Sequence, residues 1–405
     1  MFLFDILPVF SDDAYLTAYF ADAFVNGQGF PNSNTETLLG ITDPLYLYIV
    51  GLLIFLGLNP VTSMHIVNSL AIFLIFSLVK KEKGNTALLA VICFFSLWYH
   101  LLIGAGNGLF VLFFLLYLVD YRKGSAVWIS LAAATRFDFA LYWIYVFFQK
   151  YKEKDIAWCV RSIFVFVPVL VLNFVFWGTF MPHTLLSKKL MYNRLFMLNF
   201  QVPDHIQWLL ASVCIALIFK EIDRRAVFAG IALSLSWAIA GISPGNAYPM
   251  LGFLILISFI FGSSKYFDFF FKKHIFITCC LASLLTFPQF SKTYQKWADH
   301  YHVSSEMVKL MPEEGCTLAY WYFGYLRHHS DKCIIDGSGF FDRNSFELLK
   351  ETQSNEIFLR LDEKPSAVIH FHEPDVEPLK NLPEYPFSKN VRGKHIQGII
   401  YSKDF

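Results

Sequence analysis

The chain has 405 residues, 56% of them hydrophobic and 16% charged, with a formal net charge of +1. A soluble domain carries roughly 25% charged residues, so the composition points to a lipid-embedded chain. The near-neutral balance gives no reason to expect a nucleic-acid partner.

Met1 to Phe10 is apolar but too short to cross a bilayer or to form a signal peptide with a basic start. It reads as the stump of a first helix or as an interfacial segment. Ser11-Asp12-Asp13 then opens a helical pattern over 14–26, stopped by Gly27. Residues 28–43 are rich in Gly, Pro, Asn and Thr and read as loop. Residues 44–58 form an apolar helix, tilted or interfacial. Apolar spans are predicted near 61–80, 86–103 and 108–121. Residues 125–149 are interrupted by Arg136 and Asp138, and read as two short helices meeting at these charges. Further spans are predicted near 156–178, 206–220, 226–243, 247–262 and 274–290.

After about residue 291 the composition turns polar. Strands are predicted at 317–322, 333–335, 367–371 and 398–401, with a helix over 344–354 between them. The expected fold is a polytopic α-helical membrane protein of about ten spans, with a small C-terminal α/β domain. Residues 1–290 form the transmembrane catalytic domain, with an extracytoplasmic loop over 11–60. Residues 291–405 form the extracytoplasmic soluble domain.

Charge sets the expected sidedness. No Lys or Arg occurs in residues 1–79. Basic clusters then recur between apolar stretches, at Lys80, Lys81 and Lys83, at Arg122 and Lys123, at Lys150, Lys152 and Lys154, at Lys220, Arg224 and Arg225, and at Lys265, Lys272 and Lys273. Short basic loops stay in the cytoplasm. That rule puts 11–60, 178–205 and 291–405 together on the extracytoplasmic side. Five of the seven Cys lie in apolar segments and read as small buried hydrophobes. Cys316 and Cys333 lie in the C-terminal region, where they either pair as a disulfide or remain free.

Four groups of residues could carry chemistry. Asp12-Asp13 is either a helix N-terminal cap or a general base, and the pair could also hold a divalent cation. Asp43 lies in the same outer segment. Arg136 and Asp138 are costly inside an apolar region, so they either pair with each other or face an anionic group. The loop from Trp177 through His183 to Lys188, Lys189 and Arg194 places cations against the orientation rule. It meets either ordinary anionic lipid or one specific phosphate. The run from Leu318 to Asn344, with Gly324, Asp336, Gly337, Gly339 and Asp342, is either turn chemistry or a ligand approach.

Taken in order, these segments resemble the GT-C superfamily of polyprenyl-phosphate-sugar-dependent membrane glycosyltransferases, in particular its bacterial arabinofuranosyltransferase-like branch. The segments that carry the resemblance are Asp12-Asp13-Ala14-Tyr15-Leu16, Gly27-Gln28-Gly29, Thr42-Asp43-Pro44-Leu45, Thr135-Arg136-Phe137-Asp138-Phe139, the loop from Gly178 through Pro182-His183-Thr184 to Lys188, Phe323-Gly324-Tyr325 read as a strand, and Ile334 to Phe340. Asn107 stands where the family usually has Glu, and Phe137 where it has Pro. The resemblance implies inverting transfer of a sugar from a polyprenyl phosphate to a glycan, lipid or protein hydroxyl, at the outer face of a bacterial inner membrane. Asp12 or Asp13 would be the base, with Asp12 favoured. Lys188, Lys189, Arg136 and Arg194 would bind the donor phosphate. His183, Asp43 and Asp138 would contact substrate. A non-catalytic transporter or flippase for lipid-linked sugars, or a scaffold on the same fold, is the alternative.

Overall fold

The computed structural model describes residues 11–27, 40–93, 101–102, 104–120, 125–180, 223–240, 260–261, 294–320, 323–337, 365–372, 385, 387–394 and 396–402. The expected spans at 206–220 and 274–290, most of that at 247–262 and the helix at 344–354 lie outside these residues.

Helix α1 (Asp12–Val25) starts after Ser11, which is extended and makes no side-chain cap bond. Helix α2 (Pro44–Phe55) has proline at its first position, where the missing N–H costs nothing. Helix α3 (Pro60–Cys93) is broken at Gly84, whose φ of 83° only glycine adopts readily. Helices α4 (Asn107–Val119) and α5 (Ser125–Thr135) lead to a 3-10 turn (Phe137–Phe139) and α6 (Ala140–Lys152). Helix α7 (Ile156–Trp177) is capped by the Asp155 carboxylate, which accepts from the Trp158 N–H at 3.1 Å, and ends at left-handed Gly178. Helix α8 (Arg224–Ala240) follows.

Two helical segments are long and apolar enough to cross a membrane, Pro60–Asn85 with 26 residues and Ile156–Trp177 with 22. On α7 the bulky apolar residues Val160, Phe164, Val171 and Val175 face outward at helical spacing. The expectation of about ten spans is overturned, because among the described residues only these two helices qualify. The predicted span at 108–121 becomes a helix of 13 residues, and 125–149, expected as two short helices meeting at Arg136 and Asp138, forms helices of 11 and 13 residues on either side of that turn. At 1.5 Å per residue such helices reach about 20 Å, short of a hydrocarbon core of about 30 Å. Helices α4 and α5 are apolar for another reason. Phe110, Phe114, Ile129 and Ala133 are fully buried against neighbouring helices. Composition alone does not separate a core helix from a lipid-facing one.

The sheet comprises β1 (Thr317–Tyr320), β2 (Ile334–Asp336), β3 (Ala367–His372), β4 (Phe387–Arg392) and β5 (Gln397–Ser402), in the order β2-β1-β3-β5-β4. The β2-β1-β3 half is parallel, and β5 and β4 are antiparallel additions. Edge strand β4 is largely exposed, whereas β5 is buried throughout. Helix α9 (Phe323–His329) is the crossover from β1 to β2. The segment Phe323-Gly324-Tyr325, read as strand from sequence, is therefore its first turn. A disulfide joins Cys316 to Cys333 across the base of this crossover.

The sheet unit meets the helical unit where α9 packs on α1. Arg327 of α9 is buried, donates to the backbone oxygens of Lys332 and Ile334 at 3.0 Å each, and lies over the Tyr19 ring of α1. Tyr15 of α1 contacts the rings of Tyr301, Tyr325 and His328.

Candidate active site

Successive residues on a helix point about 100° apart, so Asp12 and Asp13 face different neighbours. Asp12 turns toward α9. Its carboxylate accepts from the Tyr325 N–H at 2.8 Å, which supplies a partner to an otherwise orphaned amide at the start of α9. Gly324 makes the approach feasible. A Cβ at that position would lie 2.0 Å from the Asp12 carbonyl oxygen and 2.7 Å from the Leu16 nitrogen. Burial and the adjacent Asp13 carboxylate push Asp12 up to about 8, opposed by the Tyr325 and Gly324 backbone N–H groups.

Asp13 is exposed and lies at a pocket. Asp13, Leu16 and Thr17 of α1 form one wall, and Gly40, Ile41, Thr42 and Asp43 form the other. The Thr17 hydroxyl donates to the Asp13 backbone oxygen at 2.9 Å, so the start of α1 is braced from within. Asp43 is only 3% exposed. It stands at the N-cap of α2, yet its carboxylate makes no cap bond. The Thr42 hydroxyl donates to it at 2.7 Å. Burial pushes Asp43 up to about 7, with Asp13 and Asp138 adding to the rise and Arg136 and Thr42 opposing it.

Behind Asp43 is the charged turn. Arg136 donates through Nε and Nη2 to the two carboxylate oxygens of Asp138, at 3.1 and 2.7 Å. This is the fork-on-carboxylate geometry peculiar to arginine. Its Nη1 donates to Asn107 Oδ1. Burial works against the Arg136 charge, but Asp138 and the more distant Asp43 and Asp13 hold its pKa above the ordinary value. The Phe137 N–H donates to the Thr42 carbonyl at 3.4 Å, which ties this turn to the pocket wall. Gly106, at φ 65°, presses on the same wall, and a Cβ there would sit 3.0 Å from the Asp43 Cβ.

The structure thus gathers Asp13, Asp43, Arg136 and Asp138 around one place, and turns Asp12 away to α9. The Arg136–Asp138 alternative read from sequence as mutual pairing is the arrangement observed. Lys188, Lys189, Arg194 and His183 lie outside the described residues, as do Gly339 and Asp342. Among the described residues no group of three or more His, Cys, Asp or Glu side chains could hold a metal ion. Sequence reasoning missed the roles of Asn107 and Gly106. The Gly-Asn-Gly turn was visible, but its distant partners Arg136 and Asp43 were not. No family model, no curated protein and no solved structure matches the chain.

Proposed function

We propose that the chain is a membrane-associated glycosyltransferase that moves a sugar from a polyprenyl phosphate to an envelope acceptor hydroxyl, with inversion, at the outer face of a bacterial cytoplasmic membrane. The observation that carries this reading is the exposed Asp13 carboxylate beside a pocket backed by Asp43 and the Arg136–Asp138 turn. An alcohol is a weak nucleophile at neutral pH, and a carboxylate at hydrogen-bond reach assists its attack. Asp13 takes that part, and Asp12, favoured from sequence, holds α9.

The acceptor oxygen attacks the anomeric carbon as the bond to the phosphate breaks. Asp13 receives the hydroxyl proton, and polyprenyl phosphate departs without needing one. The leaving charge requires cations. Lys188 and Lys189 supply them, with Arg194 assisting and Arg136 fixed by Asp138 at the back of the pocket. His183 lies in the same basic loop and contacts the donor.

The test is release of polyprenyl phosphate by the purified chain from a panel of synthetic polyprenyl-phosphate sugars. Asp13→Asn is expected to lower transfer about 10²–10⁴-fold, the range for a positioned base. Asp12→Asn should retain more activity than Asp13→Asn. Full activity in Asp13→Asn refutes the base assignment. Absence of release from every donor by the folded wild-type chain refutes the transferase reading.

A further inference from the structure

Asp43 is the group in this site whose chemistry is still unused. An aspartate at an N-cap ordinarily accepts a helix amide, and this one does not. The adjacent Pro44 has no N–H to offer. A buried carboxylate is ordinarily paired with a cation. The nearest cationic side chain named by its electrostatics, Arg136, is committed to both oxygens of Asp138 and to Asn107. Among the described residues, the hydrogen bond to the Asp43 carboxylate is from Thr42. Gly106 leaves no room behind it, so the carboxylate is held in place at the pocket it shares with Asp13.

We infer that Asp43 is a second proton carrier of the site, taking from Asp13 the proton that Asp13 removes from the acceptor hydroxyl. This inference rests on the proposed transfer. The bookkeeping closes without any co-reactant. The acceptor O–H and the anomeric carbon–phosphate bond break, and the new glycosidic bond forms. The proton passes from the acceptor to Asp13, and then to Asp43 directly or through one water. Asp13 is left as a carboxylate for the next turnover, and Asp43 releases its proton to solvent through the pocket.

The charged and titratable groups facing Asp43 are Asp13 from α1, Tyr46 from α2, and Arg136 and Asp138 from the charged turn. Burial favours the protonated acid, opposed by Arg136 and the Thr42 hydrogen bond, with Asp13 and Asp138 adding to the rise. Its value of about 7 lets it accept a proton at neutral pH and lose it again.

Infrared difference titration of the full-length protein tests this without requiring turnover. In the Asp12→Asn background, which removes the other carboxyl raised toward neutral pH, a carboxylic-acid C=O band titrating near neutral pH is expected, and it should be missing from Asp12→Asn/Asp43→Asn. The Asn variant mimics the protonated acid and can still accept from Thr42, so it is expected to fold. In the transfer assay Asp43→Asn should lower kcat by less than the ~10²-fold expected of removing the base, and should flatten the pH dependence near neutrality. Retention of the band in Asp12→Asn/Asp43→Asn, or an unaltered pH profile in Asp43→Asn, overturns the relay alone. No transfer by wild type, whatever the band does, overturns the transferase reading and the relay with it.

Discussion

Replacing Gly324 by alanine tests the contact that joins the two units. The added Cβ would start 2.0 Å from the Asp12 carbonyl oxygen and 2.7 Å from the Leu16 nitrogen. Both are backbone atoms, so no side chain can swing aside. Relief demands a displacement of α9 from α1 of more than ~1 Å. Such a shift stretches the 2.8 Å Tyr325–Asp12 hydrogen bond beyond useful length. Overpacking costs about 1–3 kcal/mol. A lost hydrogen bond to Asp12, largely the neutral acid at pH 7, adds about 0.5–1.5 kcal/mol. The better helix propensity of alanine returns about 1 kcal/mol. The net expectation is a loss of about 0.5–3.5 kcal/mol, read by chemical denaturation. Amide exchange should accelerate in 12–25 and 323–329 first. A variant as stable as wild type, with unchanged protection there, would refute the close approach and the account of Asp12 built on it.

Three further outcomes follow from the same geometry. Asp12 lies above its unfolded value of 3.8 when folded, so its contribution to stability is present below about pH 4 and lost as pH rises through about 8. Asp12→Asn should therefore gain on wild type between pH 5 and pH 8.5 in denaturation experiments, and a pH-independent difference would count against it. Arg136→Met removes both charge-assisted hydrogen bonds from Asp138, whose side chain is 3% exposed, at a cost of about 3–5 kcal/mol. The double change with Asp138→Leu should recover most of that loss, and additive losses would refute the pairing. Reducing the Cys316–Cys333 bond, whose partners are 17 residues apart, should cost about 3 kcal/mol. A melting temperature indifferent to dithiothreitol would contradict it.

Local features were legible in the sequence, and distant partners were not. The apolar runs that become the long part of α3 and all of α7 announced themselves by length and composition. So did the acidic start of α1, and the pairing of Arg136 with Asp138, since two opposite charges two residues apart in apolar surroundings have few other options. The span expected at 108–121 failed because α4 is as apolar as a lipid-facing helix while being packed inside. Strand β4 was missed because an exposed edge carrying Lys389 and Arg392 shows no apolar alternation. The task of Asp12 was beyond local reading, because its partner Tyr325 lies 313 residues away. Gly324, read from sequence as turn chemistry or a ligand approach beside a strand, is instead the point where α9 meets the α1 backbone.

That separation also fixes an order of events during synthesis. Asp12 is made before Tyr325, which arrives 313 residues later. At ~5–20 residues per second the gap is about 15–60 s. Through that interval the start of α1 waits without the amides that it later holds. The crossover of a parallel pair, already slow to close, finds its docking partner only at the end. The newborn chain thus carries the acidic start of α1 uncommitted through that interval, and a ribosome that stalls before residue 325 leaves Asp12 without the amide it later holds.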